Sequence, residues 1–243
     1  MSDTDTITAR ASLAPRRNDA VPPPRVVVYG TRGIGKTTFG AHAPRPIFVR
    51  TEDGLSGLDV DTFPLCTSLE DVETQLRWLA TEKHDYKTCV LDSLTGLEPL
   101  LWRRVIETRR DKRGQRVASI ADFDFQVGYD FAADVFTNDF LPLINALRDR
   151  RMAVVLIAHV TQHKFDPPDM DAYERIGPAM HKKCNERLVN WADAVLYARS
   201  RMAATTERGK TKGKPVGDGS REMLTCDQPA WFAKNRYQLP ETL

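Results

Sequence analysis

Long apolar runs are missing from this chain of 243 residues. No stretch approaches the roughly 18 consecutive apolar residues that a membrane-spanning helix needs. The first 24 residues contain no apolar core of the kind that a secretory signal peptide carries. Both absences predict a cytoplasmic protein with no membrane partner.

Paired cysteines and a strong net charge are also missing. The four cysteines are widely separated, with no CxxC pair and no histidine at zinc-ligand spacing: Cys66, Cys89, Cys184 and Cys226. This pattern indicates reduced thiols with a structural role in the core. The net charge is only +2, so no overall basic field indicates a nucleic-acid partner.

What the sequence does contain, from residue 25 onward, is an alternation of short apolar runs with helical patterns. Strands are predicted at 25–29, 47–51, 88–92, 153–159 and 194–199, and helices from about residue 35 and at about 69–82, 94–109, 128–150 and 179–190. Such alternation is typical of an α/β fold with a mostly parallel central sheet flanked by helices.

The remaining segments are predicted to be less regular. Residues 161–178 hold three prolines and many charges, which favours a loop with little structure of its own. Strands near 199–204 and 222–226, with a tip at 208–219, predict a C-terminal β-hairpin at an antiparallel edge. Residues 1–24 are predicted to be a disordered or loosely docked arm, which leaves 25–243 as the core.

A phosphate-binding motif follows the first predicted strand. Gly30, Gly35, Lys36 and Thr37 have the spacing G-x-x-x-x-G-K-T of the Walker A motif. Glycines let backbone amides curl around a phosphate, the lysine reaches the β- and γ-phosphates, and the threonine hydroxyl binds magnesium. The predicted nucleotide-binding residues are Gly30, Thr31, Arg32, Gly33, Ile34, Gly35, Lys36, Thr37 and Thr38.

An acidic residue ends the third predicted strand. Asp92 lies 56 residues after Lys36 (92 − 36) and one helical crossover further along the sheet. A carboxylate in this position is typical of the Walker B acid, which holds magnesium together with Thr37. The predicted cofactors are therefore ATP and Mg²⁺.

Beyond the P-loop, the sequence resembles the RecA-type core. More narrowly, it is similar to RecA-like nucleotide-binding proteins of phages and prophages, a group that includes single-strand annealing ATPases. The resemblance is carried by residues 28–38, 47–54, 90–97 and 233–237. It implies a DNA-dependent ATPase in the cytoplasm of a bacterial host, active as a homo-oligomer on single-stranded DNA during recombination.

The resemblance also implies roles for single residues. Glu52 matches the glutamate that polarises the attacking water, and His159 stands where a polar γ-phosphate sensor is usual. Lys234 and Arg236 resemble the basic fingers that one subunit inserts into its neighbour's site. The residues themselves leave structural alternatives open: a turn cap for Glu52, a core histidine for His159 and an exposed basic strand end for the last two.

Contacts with DNA and the choice of base are less specified. Candidate DNA contacts are His163, Lys164, Phe165, Tyr173, Arg175, Lys182 and Lys183, together with the basic runs at 103–116 and 201–221. No aromatic residue lies just after Glu52 to stack on a base, so a preference for adenine over guanine is implied by the resemblance alone.

Two competing functions are a small-molecule P-loop kinase, with 109–116 as its lid, and a nonhydrolysing ATP-dependent assembly or loader factor.

Overall fold

A computed structural model describes residues 21–55, 57–205 and 214–243 of the chain. Its strands are β1 (Arg25–Gly30), β2 (Pro46–Arg50), β3 (Asp61–Thr62), β4 (Thr88–Asp92), β5 (Ala153–Ala158), β6 (Val160–Phe165), β7 (Tyr173–Pro178), β8 (Ala194–Thr205), β9 (Lys214–Leu224) and β10 (Lys234–Asn235). Its α-helices are α1 (Lys36–Ala41), α2 (Leu69–Thr81), α3 (Leu94–Thr108), α4 (Val127–Val135), α5 (Leu141–Asp149) and α6 (Lys182–Trp191).

The main sheet has the order β10-β8-β1-β5-β4-β2-β3, and β9 pairs with β8. From β8 through β3 all neighbours are parallel, whereas β9 and β10 run antiparallel to β8. The predicted architecture, a mostly parallel central sheet flanked by helices with an antiparallel C-terminal edge, is confirmed. Because β5 lies between β1 and β4, the chain after β5 leaves the sheet between the phosphate-binding loop and Asp92.

The two faces of the sheet are covered differently. One set of alternating strand residues packs against α2 to α6 in the larger core cluster, with Phe136, Phe140 and Leu101 among the fully buried side chains. The other set packs in a smaller cluster with Ile34 of the phosphate loop and the C-terminal residues Tyr237 and Leu239. This strand alternation follows from the period of two along a pleated strand.

Helix caps in the sequence determine where two of these helices begin. Ser68 starts α2 with a capping box, in which its hydroxyl accepts from the Asp71 amide and the Asp71 carboxylate accepts from the Ser68 amide. Ser93 starts α3 by accepting a hydrogen bond from the Gly96 amide. Both serines therefore satisfy amides that a helix leaves unpaired at its first turn.

The helix predicted at 128–150 is interrupted by a wider turn. A π-helical segment, Phe136–Phe140, separates α4 from α5, and the Leu141 amide donates to the Phe136 carbonyl, five residues back. Pro142 follows this turn and has no amide hydrogen to donate. The wider turn therefore ends next to a residue that cannot continue the regular ladder of amide donors.

The prediction of an unstructured loop at 161–178 is wrong. β6 and β7 form an antiparallel hairpin in which Val160 pairs with Pro178 and Phe165 with Tyr173. The prolines lie in the connection and at the end of β7, where the ladder needs no donor from them. Most side chains of β6 are polar and exposed. The strand therefore lacks the apolar pattern by which a strand is predicted from sequence.

Three of the four cysteines lie in the core. Cys66, Cys89 and Cys184 are buried free thiols, and Cys226 is a partly exposed free thiol. The C-terminal hairpin is present as β8 and β9, although residues 206–213 of its predicted tip lie outside the described residues, as do residues 1–20 of the predicted arm. Within the described ranges, no helix combines the length and apolarity needed to cross a membrane.

Candidate nucleotide-binding site

The loop between β1 and α1 has the shape of a phosphate cradle. Gly35, just before α1, has φ 103°, a left-handed conformation that glycine adopts without strain. A Cβ on Gly30 would lie 2.3 Å from the carbonyl oxygen of Ala198 on β8, so that position excludes every side chain. Close packing of β1 against β8 and the turn at Gly35 together fix the path of the loop.

Lys36 is held by the loop that it follows. Its Nζ atom donates to the carbonyl oxygens of Gly30 and Thr31, each at 2.9 Å. Burial lowers the pKa of Lys36, although the nearby carboxylates Asp92 and Glu52 act in the opposite direction. The ammonium group is therefore desolvated and already positioned across the mouth of the cradle.

Thr37 and Asp92 meet where the sequence predicts a magnesium site. The Thr37 hydroxyl donates to Asp92 Oδ2 at 2.7 Å, and burial raises the pKa of Asp92 against this hydrogen bond. Mg²⁺ is usually held by one or two protein oxygens, with phosphate and water supplying the rest. A hydroxyl and a carboxylate in contact at the cradle fit such an ion, and in the described ranges no cluster of three or more His, Cys, Asp or Glu offers a separate metal site.

Glu52 and His159 also converge on this site from β2 and β5. Glu52 Oε1 accepts from the Ser93 hydroxyl at 2.7 Å, and Glu52 Oε2 lies 3.1 Å from His159 Nε2. Both side chains remain partly exposed, at 37% for Glu52 and 24% for His159. The carboxylate is thus fixed at both oxygens and still faces the cavity.

Residues of the resembling segments 47–54 and 90–97 that receive no role from the sequence hold Glu52 in place. Thr51 and Ser93 exchange two hydrogen bonds, from the Thr51 hydroxyl to the Ser93 carbonyl at 2.6 Å and from the Ser93 amide to the Thr51 hydroxyl at 2.9 Å. Thr95 accepts from the His159 amide at 3.0 Å. A Cβ on Gly96 would lie 2.8 Å from Glu52 Cγ, so glycine is required for this approach. A small hydroxyl-rich turn after an acidic strand end was the available signal.

A single cavity of about 450 Å³ unites these groups. Its lining residues come from the cradle, from β2 and β4, and from β9: Arg32, Gly33, Gly35, Lys36, Thr37, Thr38, Glu52, Gly54, Leu58, Asp92, His159 and Arg221. Neither Leu58 nor Arg221 is singled out as a site residue by the sequence, and Arg221 is the charged one of the two. It reaches the cavity because β9 folds back along β8 in the predicted hairpin, but no local pattern predicts the register that brings Arg221 to the cradle.

Comparison with known proteins identifies the family. A family model described as "AAA domain" matches residues 22–237. The chain belongs to the AAA domain family. Among solved structures, the crystal structure of the RadB recombinase is similar at 14% identity and a TM-score of 0.41, covering 84% of this chain and 87% of that chain. No curated protein matches the sequence.

In this AAA domain, the two predicted finger residues lie away from the cradle. β10 pairs Lys234 with Val195, three residues before Ala198, which faces Gly30; at about 3.3 Å per residue this is roughly 10 Å along the strand. Lys234 Nζ donates to the carbonyls of Val189 and Asn190 at the end of α6. Within one chain these contacts serve the helix end, and a role in a neighbour's site stays a prediction.

Arg236 and Arg175 also have structural partners in the AAA domain. Arg236 pairs with the buried Asp193 at 3.3 Å. Arg175, predicted as a DNA contact, is instead buried, where it pairs with Asp227 at 2.8 Å and lies over the ring of Phe232 at 3.9 Å. The DNA prediction for Arg175 is wrong, because its charge is used to join the β6–β7 hairpin to the C-terminal segment.

Proposed function

We propose that this AAA domain binds Mg-ATP and hydrolyses it, with Glu52 as the group that orients and polarises the attacking water. The observation that carries the proposal is the convergence of four elements on one cavity. The Thr37 hydroxyl touches Asp92 at 2.7 Å, Lys36 lies across the loop, and Glu52 faces the same space. Nucleotide hydrolysis needs a pair of metal ligands, a cation that binds the phosphates and a base, all in one cavity.

The residues divide the work by their chemistry. Lys36 exchanges its two carbonyl partners for phosphate oxygens and neutralises charge there. Thr37 and Asp92 supply a hydroxyl and a carboxylate to Mg²⁺, which when bound neutralises charge on the phosphates. Glu52 accepts a hydrogen bond from water, and the Ser93 hydroxyl and His159 hold its carboxylate in one orientation.

The DNA-dependent part of the proposal rests on the β6–β7 hairpin. β6 begins at Val160, directly after His159, which contacts Glu52. The hairpin exposes Lys164 and Phe165, and the Phe165 ring lies beside the half-buried ring of Tyr173, with ring centroids 5.4 Å apart. A cation beside aromatic rings suits single-stranded nucleic acid. We propose that nucleotide state at Glu52 is transmitted through His159 to a hairpin that contacts single-stranded DNA.

We further propose that the active form is a homo-oligomer acting in phage-type recombination, by annealing or strand exchange. Lys234 and Arg236 would then supply cations to a neighbouring subunit's site. Arg236 is 54% exposed in its side chain, which supports its availability to a second copy. The resemblance of residues 233–237 to RecA-type fingers motivates this part of the proposal.

One competing function, a small-molecule kinase, loses its candidate lid. The basic run that begins at Arg109 follows the last turn of α3, whose first turn is at the site. A helix of 15 residues spans about 22 Å. The run therefore starts far from the cradle, where it cannot close over bound phosphates without a large rearrangement.

Measurement of ATP binding and turnover with and without single-stranded DNA tests the proposal. Lys36→Ala should abolish binding, whereas Glu52→Gln should bind Mg-ATP and lose turnover by about a hundredfold or more. Asp53→Asn is the matched control, because Asp53 is an exposed neighbouring carboxylate paired with Arg50 at 3.7 Å. We expect DNA to raise turnover and nucleotide to raise the mass of the assembly.

Each result that contradicts the proposal removes a defined part of it. Wild-type turnover in Glu52→Gln would remove Glu52 from its role. Tight Mg-ATP binding with no turnover under any condition would favour the nonhydrolysing assembly factor. Phosphate transfer to a metabolite would favour the kinase, and turnover that is indifferent to DNA would remove the DNA-dependent step.

A further inference from the structure

Arg221 is an exposed arginine that reaches the phosphate cradle from the C-terminal hairpin. It lies on β9, opposite Ser200 of β8. Its Nη1 atom is 3.0 Å from the position that a Cβ on Gly35 would occupy. This distance places the guanidinium beside the loop at Gly35.

The sheet order separates the two ends of a bound nucleotide. Asp92 lies on β4, two strands from β1 on one side, and β9 lies two strands from β1 on the other side. The Thr37–Asp92 contact marks the end where metal and the terminal phosphates belong. The nucleoside end therefore extends toward β8 and β9, where Arg221 stands.

A mostly apolar cavity lies at that end. Its volume is about 250 Å³, and Arg221, Gly35 and Lys36 line both it and the phosphate cavity. The other side chains in its lining include Ile34, Phe39, Ala198 and Met223. Phe39 is 39% exposed, which leaves its ring available to contact a flat aromatic ligand. Ligand pockets of this kind combine apolar walls with a few polar groups that fix orientation.

The guanidinium of Arg221 has capacity for a ligand. Among the residues that the structure describes, none forms a hydrogen bond or ion pair with it. An arginine presents several N–H donors in a planar fork that matches phosphate oxygens and can stack on a ring. A cation placed between a phosphate cavity and an apolar cavity suits the junction of a nucleoside and its first phosphate.

We propose that Arg221 is a nucleotide-binding residue that holds the α-phosphate from the C-terminal hairpin, with the base in the apolar cavity beside Phe39. This inference rests on the proposed binding of nucleotide at the cradle. Because β9 is paired with β8 and carries Arg221, occupancy of the site is coupled to the position of the hairpin. No aromatic residue directly follows Glu52 to stack on a base, and Phe39 supplies that contact from the other side of the loop.

Calorimetric titration with Mg-ATP and with Mg-ADP tests this assignment. Arg221→Ala should weaken both nucleotides by about tenfold, and by the same factor, because the α-phosphate is common to both. Arg221→Lys should recover part of the affinity. The matched control is Arg150→Ala, an exposed arginine that donates to the Glu82 carbonyl and should bind like wild type.

The outcomes distinguish this assignment from the proposed function. Wild-type affinity of Arg221→Ala for both nucleotides, beside a wild type that binds and a Lys36→Ala variant that does not, would refute the role of Arg221 alone. Weakening of ATP without ADP would also refute it, since Arg221 would then act at the γ-phosphate. A wild type that binds neither nucleotide would refute the proposed function and this assignment with it.

Discussion

Replacing Gly96 by alanine should misplace Glu52 without touching the phosphate cradle. The new Cβ would lie 2.5 Å from Thr51 Oγ1 and 2.9 Å from the Thr51 carbonyl oxygen, both well inside an ordinary contact of about 3.4 Å. Thr51 or α3 must therefore shift by roughly 0.9 Å, the difference between the ordinary contact of about 3.4 Å and the 2.5 Å to Thr51 Oγ1. The same movement pushes Glu52 Cγ, 2.8 Å from the new atom.

The free energy of unfolding follows from the bonds at stake. Thr51 makes two hydrogen bonds with Ser93, and losing both costs about 2 kcal/mol at about 1 kcal/mol each. Overpacking adds about 1 kcal/mol at its lower limit, and alanine in a helix regains about 1 kcal/mol over glycine. The net loss is about 2 kcal/mol, which corresponds to a fall in Tm of about 6 °C for a chain of this size.

Thermal melts and steady-state turnover measure the two consequences of Gly96→Ala. Displacing a positioned catalytic group by about 1 Å can lower turnover by about a hundredfold, whereas Mg-ATP affinity should stay within about twofold because Lys36 and Thr37 are untouched. Glu107→Ala, at an exposed position of the same helix, is the control. Wild-type Tm together with wild-type turnover in Gly96→Ala would refute the reasoning.

Two further predictions concern buried carboxyl groups. Asp193→Asn should destabilise by about 3 kcal/mol in urea melts, because the nearly buried carboxylate pairs with Arg25, Arg148 and Arg236 at 2.9–3.3 Å; a cost under 1 kcal/mol would contradict this. Burial raises the pKa of Glu98 to about 7 from 4.5, so its stabilisation is full below pH 4.5 and is lost as pH rises through 7. Glu98→Gln should therefore gain up to about 3 kcal/mol over wild type between pH 5 and 8, and a pH-independent difference would refute it.

The parts of the site that could be predicted are those encoded locally. Gly35, Lys36 and Thr37 have a fixed spacing after an apolar strand, and Asp92 ends another such strand. The carboxyl ends of parallel strands meet at one edge of the sheet, so the structure brings these residues together, with Glu52 and His159 beside them. The local order of residues along the chain is therefore sufficient to predict these features.

The parts that could not be predicted depend on register between distant segments. Arg221 reaches the cradle only through the pairing of β9 with β8, which includes a register shift between Ser200 and Met202. β6 lacks an apolar alternation because most of its side chains are exposed, while its partner strand β7 is joined to the C-terminal segment through Arg175. Neither relation leaves a periodic trace in the sequence.

Lys36 ties the two ends of the phosphate loop together. Its ammonium group donates to the carbonyls of Gly30 and Thr31, and these bonds stabilise the curvature of the loop. A phosphate that binds here meets a Lys36 ammonium group that is already positioned, and it need not order a flexible loop. Association should accordingly be quick and show little dependence on loop rearrangement, and the selectivity of the domain should reside in the groups that surround the loop.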